Sequence, residues 1–399
     1  MGDLLSEIQA EFDRIIELYI VDEGASNVGL YTGIAGECLL MAQCYLGNGD
    51  EVYLEKCHYY LDQIISFIEN ESEVISSFSS GMAGCGWVIQ FLADHGLIDP
   101  DIDEMLFDID ETLFLRMQTL MSEDIFDPIN GAIGIGKYFI KRKKFDKAAW
   151  LVHQIDSLKI DTATGYKWVK KRFVDSFLSY DLGLAHGSAG IIHFFSLCHN
   201  HGIEVEKCKG IIKGAISYLM NNVQDFSVYG CFFPSIIPVD ESIKKEKDFS
   251  FSRLAWCYGD LTILYTLYQQ AIKFKDFELE KFCIDSLIKT TSRTEYEQTH
   301  IVDAGFCHGS CGIAYIYYKL YLINGNSIFL ETSHLWIKKT LAYRVSGSGL
   351  ESYQFLIGNF ETRIFQSFRP LLEGLAGVAI VYQSFLNAYS QEWDECMML

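Results

Sequence analysis

Cys257 and Cys307 stand fifty residues apart, each two residues before a glycine, and His308 directly follows the second. Two thiolates and an imidazole suit zinc. Three protein ligands leave a fourth coordination position open, the arrangement of a catalytic rather than a structural ion. Two thiolates already cancel the charge of the ion. A third thiolate, brought by a substrate, would make the centre electron-rich, while the ion keeps the bound sulfur ionised at neutral pH. Such a centre serves thiolate activation better than Lewis-acid hydrolysis, and its expected substrate bears a cysteine.

Taken singly, these cysteines would be ordinary buried apolar residues and His308 a satisfied core histidine. What joins them is a repeat. A Gly-x-x-Gly signature followed by an apolar run occurs at Gly33, Gly81, Gly131, Gly187, Gly309 and Gly374, and a degenerate copy at Gly259 has Thr262 in place of the second glycine. Each step predicts two helices. The first starts at the glycines and is apolar all round, as in Ile191 to Leu197 and Ile313 to Leu320, so it is buried on every side. Glycines three apart would let a neighbouring backbone approach. The second is amphipathic, as in Tyr53 to Ile68, Asp103 to Met121 and Lys207 to Met220, and should form an outer layer. The expected fold is an all-α, closed α/α toroid of seven helix hairpins forming a single domain over residues 1–399. An open solenoid would leave polar faces on the inner helices, which these lack. Phe226 to Ile237 and Tyr166 to Val174 read as short strands or loops on the rim.

In a toroid, equivalent positions of each copy share a height. The residue before the first glycine is in turn Thr32, Ser80, Asn130, His186, Tyr258, His308 and Glu373. Ionisable residues at the start of apolar helices indicate a site at one mouth of the ring. Cys257 and Cys307 share the position before that, in consecutive copies. The cluster Cys198-His199-Asn200-His201 offers similar residue types but lies at the far end of an inner helix. There histidines favour the negative end of the helix dipole.

Composition narrows the rest. With 32 basic and 53 acidic side chains the net charge is −21. That argues against a nucleic-acid partner and against docking on anionic lipid. No transmembrane segment is evident: the longest stretch without Asp, Glu, Lys or Arg, from Leu182 to Ile203, holds four histidines. Twelve cysteines without disulfide-framework spacing, behind an N-terminus that is acidic and helical rather than signal-like, imply a reducing, cytoplasmic setting.

The motifs Gly183-Leu184-Ala185-His186-Gly187, Trp256-Cys257-Tyr258-Gly259, Cys307-His308-Gly309 and Leu372-Glu373-Gly374 resemble the lanthionine synthetase C-like (LanC-like) family, whose members close thioether rings in lanthipeptides. The resemblance covers all seven copies and implies one zinc per chain on Cys257, Cys307 and His308. It further implies active-site roles for Asp127, His186, Arg253 and Tyr258. Asp127 stands four residues before Gly131 and Arg253 four before Cys257, as in the family. The chain departs from the pattern at Asp260-Leu261-Thr262. The implied reaction is addition of a peptide cysteine thiolate to dehydroalanine or dehydrobutyrine. His186 would be the acid/base and Asp127 would orient it or take the thiol proton, with Arg253 or Tyr258 stabilising the enolate. Asp127 also reads as an N-cap of the third inner helix, and Glu373 as a simple helix-terminal anion.

The implied partners are a dehydrated precursor peptide and a separate dehydratase and exporter, the exporter complex being a route to peripheral membrane association. Two alternatives remain open: transfer of glutathione or another small thiol to dehydroamino acids, and a non-catalytic zinc-stabilised toroid that binds peptide as a scaffold. A zinc prenyltransferase would have six repeats and an Asp among its ligands, which argues against it here.

Overall fold

The computed structural model describes residues 2–70, 75–171, 177–345, 352–357, 364–387 and 392–399. Its contacts divide the chain into two compact units, one of Met1–Leu113 with Val302–Leu399, the other of Phe114–Ile301. In chain order come α1 (Gly2–Val21), α2 (Ile34–Asn48), α3 (Glu51–Asn70), α4 (Met82–Asp94), α5 (Asp103–Ser122), α6 (Ala132–Lys141) and α7 (Phe145–Ser157). Four short strands follow: β1 (Ile160–Thr162), β2 (Gly165–Lys167), β3 (Lys170–Lys171) and β4 (Leu178–Asp181). The second unit continues with α8 (Ser188–Asn200), α9 (Val205–Met220), α10 (Phe226–Tyr229), β5 (Ile236–Pro238), α11 (Glu241–Glu246), α12 (Asp260–Phe274), α13 (Phe277–Thr290) and α14 (Tyr296–Thr299). The first unit is completed by α15 (Ser310–Asn324), α16 (Ser327–Ala342), β6 (Phe355–Ile357), β7 (Ile364–Gln366), α17 (Leu375–Leu386) and a 3₁₀ turn at Glu392–Met397.

The helices that start at the glycine signatures are α2, α4, α6, α8, α12, α15 and α17. They are buried nearly throughout; α4 hides Met82 to Ile89 without interruption. Their partners are amphipathic. In α3 the buried residues Cys57, Tyr60, Leu61 and Ile64 share one face at helical spacing. Burial of each large apolar side chain contributes about 1.5–3 kcal/mol, so these faces fix which helices pair. Within the first unit α2 packs on α3, α15 on α16, and α17 on both α2 and α15. Within the second, α6 packs on α7, α8 on α9, α12 on α13, and α8 on both α6 and α12. The seventh inner helix, α17, takes the N-terminal α1 as its outer partner, a pairing between chain ends that no local pattern announces.

The backbone that comes close to these glycines is that of the chain's own preceding loop. A Cβ on Gly84, Gly190, Gly312 or Gly377 would stand 2.0–2.2 Å from the carbonyl oxygen six residues earlier, at Phe78, Leu184, Phe306 or Leu371. The chain before each inner helix folds back against the helix's first turn. Its carbonyls accept the helix's orphan N–H groups at a spacing of seven: Ile34 N–H to Asn27 (2.9 Å), Met82 to Ile75 (2.9 Å), Ala132 to Ile125 (3.0 Å), Ala189 to Leu182 (3.1 Å) and Ser310 to Asp303 (3.0 Å). Side-chain caps are absent at these helix starts. The loop itself caps the helix, and only glycine leaves room for it.

The fifth copy is built otherwise. Gly259 adopts φ 106°, which L side chains disfavour. Asp260, fully buried, accepts from the Phe232 and Phe233 N–H groups and pairs with Arg293 Nη1 at 2.9 Å. Asp260, directly after Gly259, therefore anchors the start of this helix through a buried ion pair.

The rim segments are partly helical. Phe226 to Tyr229 form α10, because the Asp225 side chain caps the Ser227 N–H and Gly230 closes the turn in the left-handed region. Of the expected Phe226–Ile237 stretch only Ile236 and Ile237 enter a strand, β5. Of Tyr166 to Val174, β2 and β3 take the first part, and 172–174 lie outside the described residues. The order β3-β4-β5 makes a three-stranded antiparallel sheet with Lys170 opposite Ser179 and Asp181 opposite Ile236.

Candidate functional site

The position two residues before each first glycine carries a hydrogen-bond register. In the first unit Tyr31 N–H donates to the Ser79 carbonyl (2.8 Å), Leu372 N–H to Tyr31 (3.0 Å) and Cys307 N–H to Leu372 (3.0 Å). In the second unit Ala185 N–H donates to the Cys257 carbonyl (3.2 Å). Within each unit, these bonds join neighbouring copies at this register position. The third copy breaks the rule: its N–H at this position, Ile129, turns to the Asp127 carboxylate (3.0 Å).

In the second unit Asp127 is buried and gathers its neighbours. Its Oδ1 accepts from Ile129 N–H and Asn130 N–H at 3.0 Å and faces His186 Nδ1 at 3.1 Å. Its Oδ2 faces the Lys170 ammonium at 3.6 Å. Burial alone would raise the carboxyl pKa. The His186 bond, the Lys170 charge and the loop amides outweigh it and hold Asp127 below the ordinary carboxylate value. The carboxylate therefore shapes its own loop and orients the imidazole at once. It is not the N-cap of α6, a place taken by Gly131. The Tyr258 ring lies beside the His186 ring, centroids 5.7 Å apart. Gly183 lets the two loops touch: a Cβ there would stand 2.7 Å from the Cys257 carbonyl oxygen. Cys257 itself is 6% exposed. Arg253 sits on the same loop, its backbone carbonyl against Gly259. Burial, then the charges of Arg253 and Arg293, hold the neighbouring His300 below its ordinary value.

In the first unit Cys307 and His308 open the loop into α15. The thiol and a ring nitrogen of His308 lie within 4.8 Å of one another. Cys307 is buried and His308 half-buried. His308 Nδ1 has the half-exposed Glu373 carboxylate 3.8 Å away, a placement that suits orienting a ligating imidazole. A buried carboxylate, Asp303, braces the loop by accepting from Gly305 N–H (2.8 Å) and from Leu356 N–H of β6 (2.9 Å). A thiol, an imidazole and an outer carboxylate form a donor set that fits zinc.

The structure thus gathers Asp127, His186 and Tyr258 in one unit, with Cys257 and Arg253 on the Tyr258 loop, and holds Cys307 with His308 in the other. Sequence reasoning missed Lys170, Asp303 and the orienting place of Glu373. Only Glu373 carried a signal, its register position before Gly374. The competing cluster at Cys198 to His201 ends α8, with Cys198 buried in the packing. All twelve cysteines are buried and none is in a disulfide. No helix among the described residues is long and apolar enough to cross a membrane.

The family model described as lanthionine synthetase C-like protein matches residues 24–398. The nisin biosynthesis protein NisC of Lactococcus lactis subsp. lactis is 23% identical over 314 residues, covering 71% of each chain. A solved structure of nisin cyclase superposes with a TM-score of 0.73 at 18% identity, covering 100% of this chain and 98% of the other. That likeness shows the fold, whose class is the all-α toroid expected from the seven copies. With the family model matched over nearly its whole length, the chain belongs to the lanthionine synthetase C-like protein family.

Proposed function

We propose that this chain, working as one domain, is a zinc-dependent lanthipeptide cyclase. It adds peptide cysteine thiolates to dehydroalanine or dehydrobutyrine and so closes thioether rings. The observation that carries the reading is the oriented His186 on Asp127 in a LanC-like chain that also bears Cys257 and the Cys307–His308 pair. Cys257, Cys307 and His308 would hold one zinc ion, which when bound lowers the pKa of the incoming thiol and keeps its sulfur ionised.

The chain's own residues supply the rest. Asp127, held ionised, accepts from His186 Nδ1–H, which leaves Nε2 as the nitrogen that exchanges a proton with substrate. As the sulfur bonds to the β-carbon, the alkene electrons move onto the carbonyl oxygen. Arg253 or the Tyr258 hydroxyl stabilises that enolate by charge or hydrogen bonding. His186 Nε2, having taken the proton of the incoming thiol, then delivers it to the α-carbon, so the C–S bond and the new C–H bond replace the alkene π bond and the S–H bond. One S–H bond is lost and one C–H bond gained, so the composition of the peptide is unchanged. The substrate is a dehydrated precursor peptide, which a separate dehydratase must supply and an exporter remove. The proposed setting is cytoplasmic, with peripheral membrane association through the export complex.

The test is incubation of a dehydrated, cysteine-bearing precursor with the protein, followed by mass measurement and thiol alkylation. Cyclisation leaves the mass unchanged and removes alkylatable thiols. A gain equal to glutathione, when glutathione is supplied, would instead mark a small-thiol transferase. Neither change would leave a scaffold.

A further inference from the structure

Lys170 lies on β3, 43 residues beyond Asp127 in the chain, and its ammonium meets the one carboxylate oxygen that His186 does not use. Asp127 Oδ1 already serves three donors: the N–H groups of Ile129 and Asn130 and the ring of His186. Any proton taken up by this carboxyl would have to sit on Oδ2, and a protonated or rotated carboxyl would no longer fix which His186 nitrogen carries hydrogen. The cation at Oδ2 opposes both. It is well placed to do so, because the Asp127 side chain is 7% exposed and that of Lys170 18%, so solvent screens the pair little.

The scaffold of this contact has its own logic. β3 pairs with β4, Lys170 opposite Ser179, and β4 runs through Asp181 into the loop that carries His186. Asp181 ends that strand with its carbonyl against Gly187, where a Cβ would stand 2.3 Å from the oxygen. The same short sheet therefore carries the cation to one oxygen of Asp127 and the imidazole to the other. We infer that Lys170 is a positioning residue that keeps Asp127 ionised and turned toward His186, and that the rim sheet is part of the catalytic apparatus. This inference rests on the reading of His186 as the acid/base.

The test uses the full-length zinc-loaded protein with Lys170→Met and Lys170→Arg. One readout is cyclisation of a synthetic peptide bearing one cysteine and one dehydroalanine. The other is the ¹⁵N signature of ring-labelled histidine, with His186 assigned by its loss in His186→Gln. Lys170→Met should lower kcat by about tenfold to a hundredfold, the range for removing an outer partner that orients a functional group, with KM unchanged. The His186 ring should pass from a fixed Nδ1–H form to a tautomer mixture, and Lys170→Arg should restore both. If the ring signature and kcat of Lys170→Met match wild type, or only KM rises, the inference is overturned. A wild-type protein that cyclises nothing while Lys170→Met still disturbs the His186 ring would sink the cyclase reading and spare the positioning role. Should Lys170→Met not fold, Lys170→Gln carries the same comparison.

Discussion

His186 Nδ1 stands 3.1 Å from Asp127 Oδ1, across 59 residues of sequence. The contact joins the loops of the third and fourth copies of the repeat and gives the imidazole a fixed orientation. Asn at position 127 would keep an oxygen for the Ile129 and Asn130 amides but lose the charge. Asp127→Asn should therefore retain its zinc and its loop while turnover falls by about 10²- to 10⁴-fold, the usual worth of a positioned acid/base. Steady-state cyclisation beside metal analysis checks this; full activity would remove His186 from the acid/base role.

The same pair predicts a pH dependence of stability. Folding lowers the Asp127 pKa, so the unfolded chain takes up this proton first. The stabilisation is complete above the ordinary carboxylate pKa of about 4 and is lost as pH falls through the lower folded value. Thermal melts across the acid range should show wild type losing stability on acidification more steeply than Asp127→Asn. Parallel curves would mean that the carboxylate is not held low.

The glycine rule makes a paired prediction. A Cβ on Gly190 would stand 2.2 Å from the Leu184 carbonyl and 2.6 Å from Pro128 Cγ, so Gly190→Ala must displace the His186 loop. It should destabilise the protein by about 1–3 kcal/mol and lower activity. Gly210, inside α9, has nothing within 4 Å of the same position. Gly210→Ala should stabilise by about 0.5–1 kcal/mol. Denaturant unfolding of the two variants distinguishes a loop-capping glycine from a tolerated one.

The fifth copy rests on its ion pair. Arg293 and Asp260 are almost wholly buried and 2.9 Å apart. Arg293→Met would strand a buried carboxylate and should cost about 3–5 kcal/mol. Because Asp260 follows Gly259 directly, the Cys257–Tyr258 loop should loosen as well. Unfolding curves with and without zinc would show both effects.

These features differ in how far the sequence exposes them. Six of the seven inner helices are legible because each needs glycine at two positions for its own loop to fold back, a need that leaves a spaced, searchable mark, and the fifth keeps the first of the two at Gly259. The cysteines and His186 are legible through the same register. The partner of α17 is not, because α1 lies at the opposite end of the chain and amphipathic helices carry no address. Lys170 escapes for a similar reason: it reaches Asp127 from a two-residue strand whose pairing with β4 nothing in its own spacing dictates. The role of Asp127 is half visible. Its residue type suits a cap, but only the fold shows that the carboxylate serves the loop amides and His186 together. At Phe226, aromatic composition reads as a short strand or a loop, and the Asp225 cap with Gly230 decides for a helical turn.

The proposed function requires that Cys257, Cys307 and His308 together hold one zinc ion. The most direct measurement is elemental analysis of zinc in the purified chain beside Cys257→Ala, both handled without chelator. About one zinc per chain in wild type, an open three-ligand site, with most of it lost in Cys257→Ala, is the predicted result. A metal-free wild-type protein, or a variant that keeps its full complement of zinc, would contradict the account.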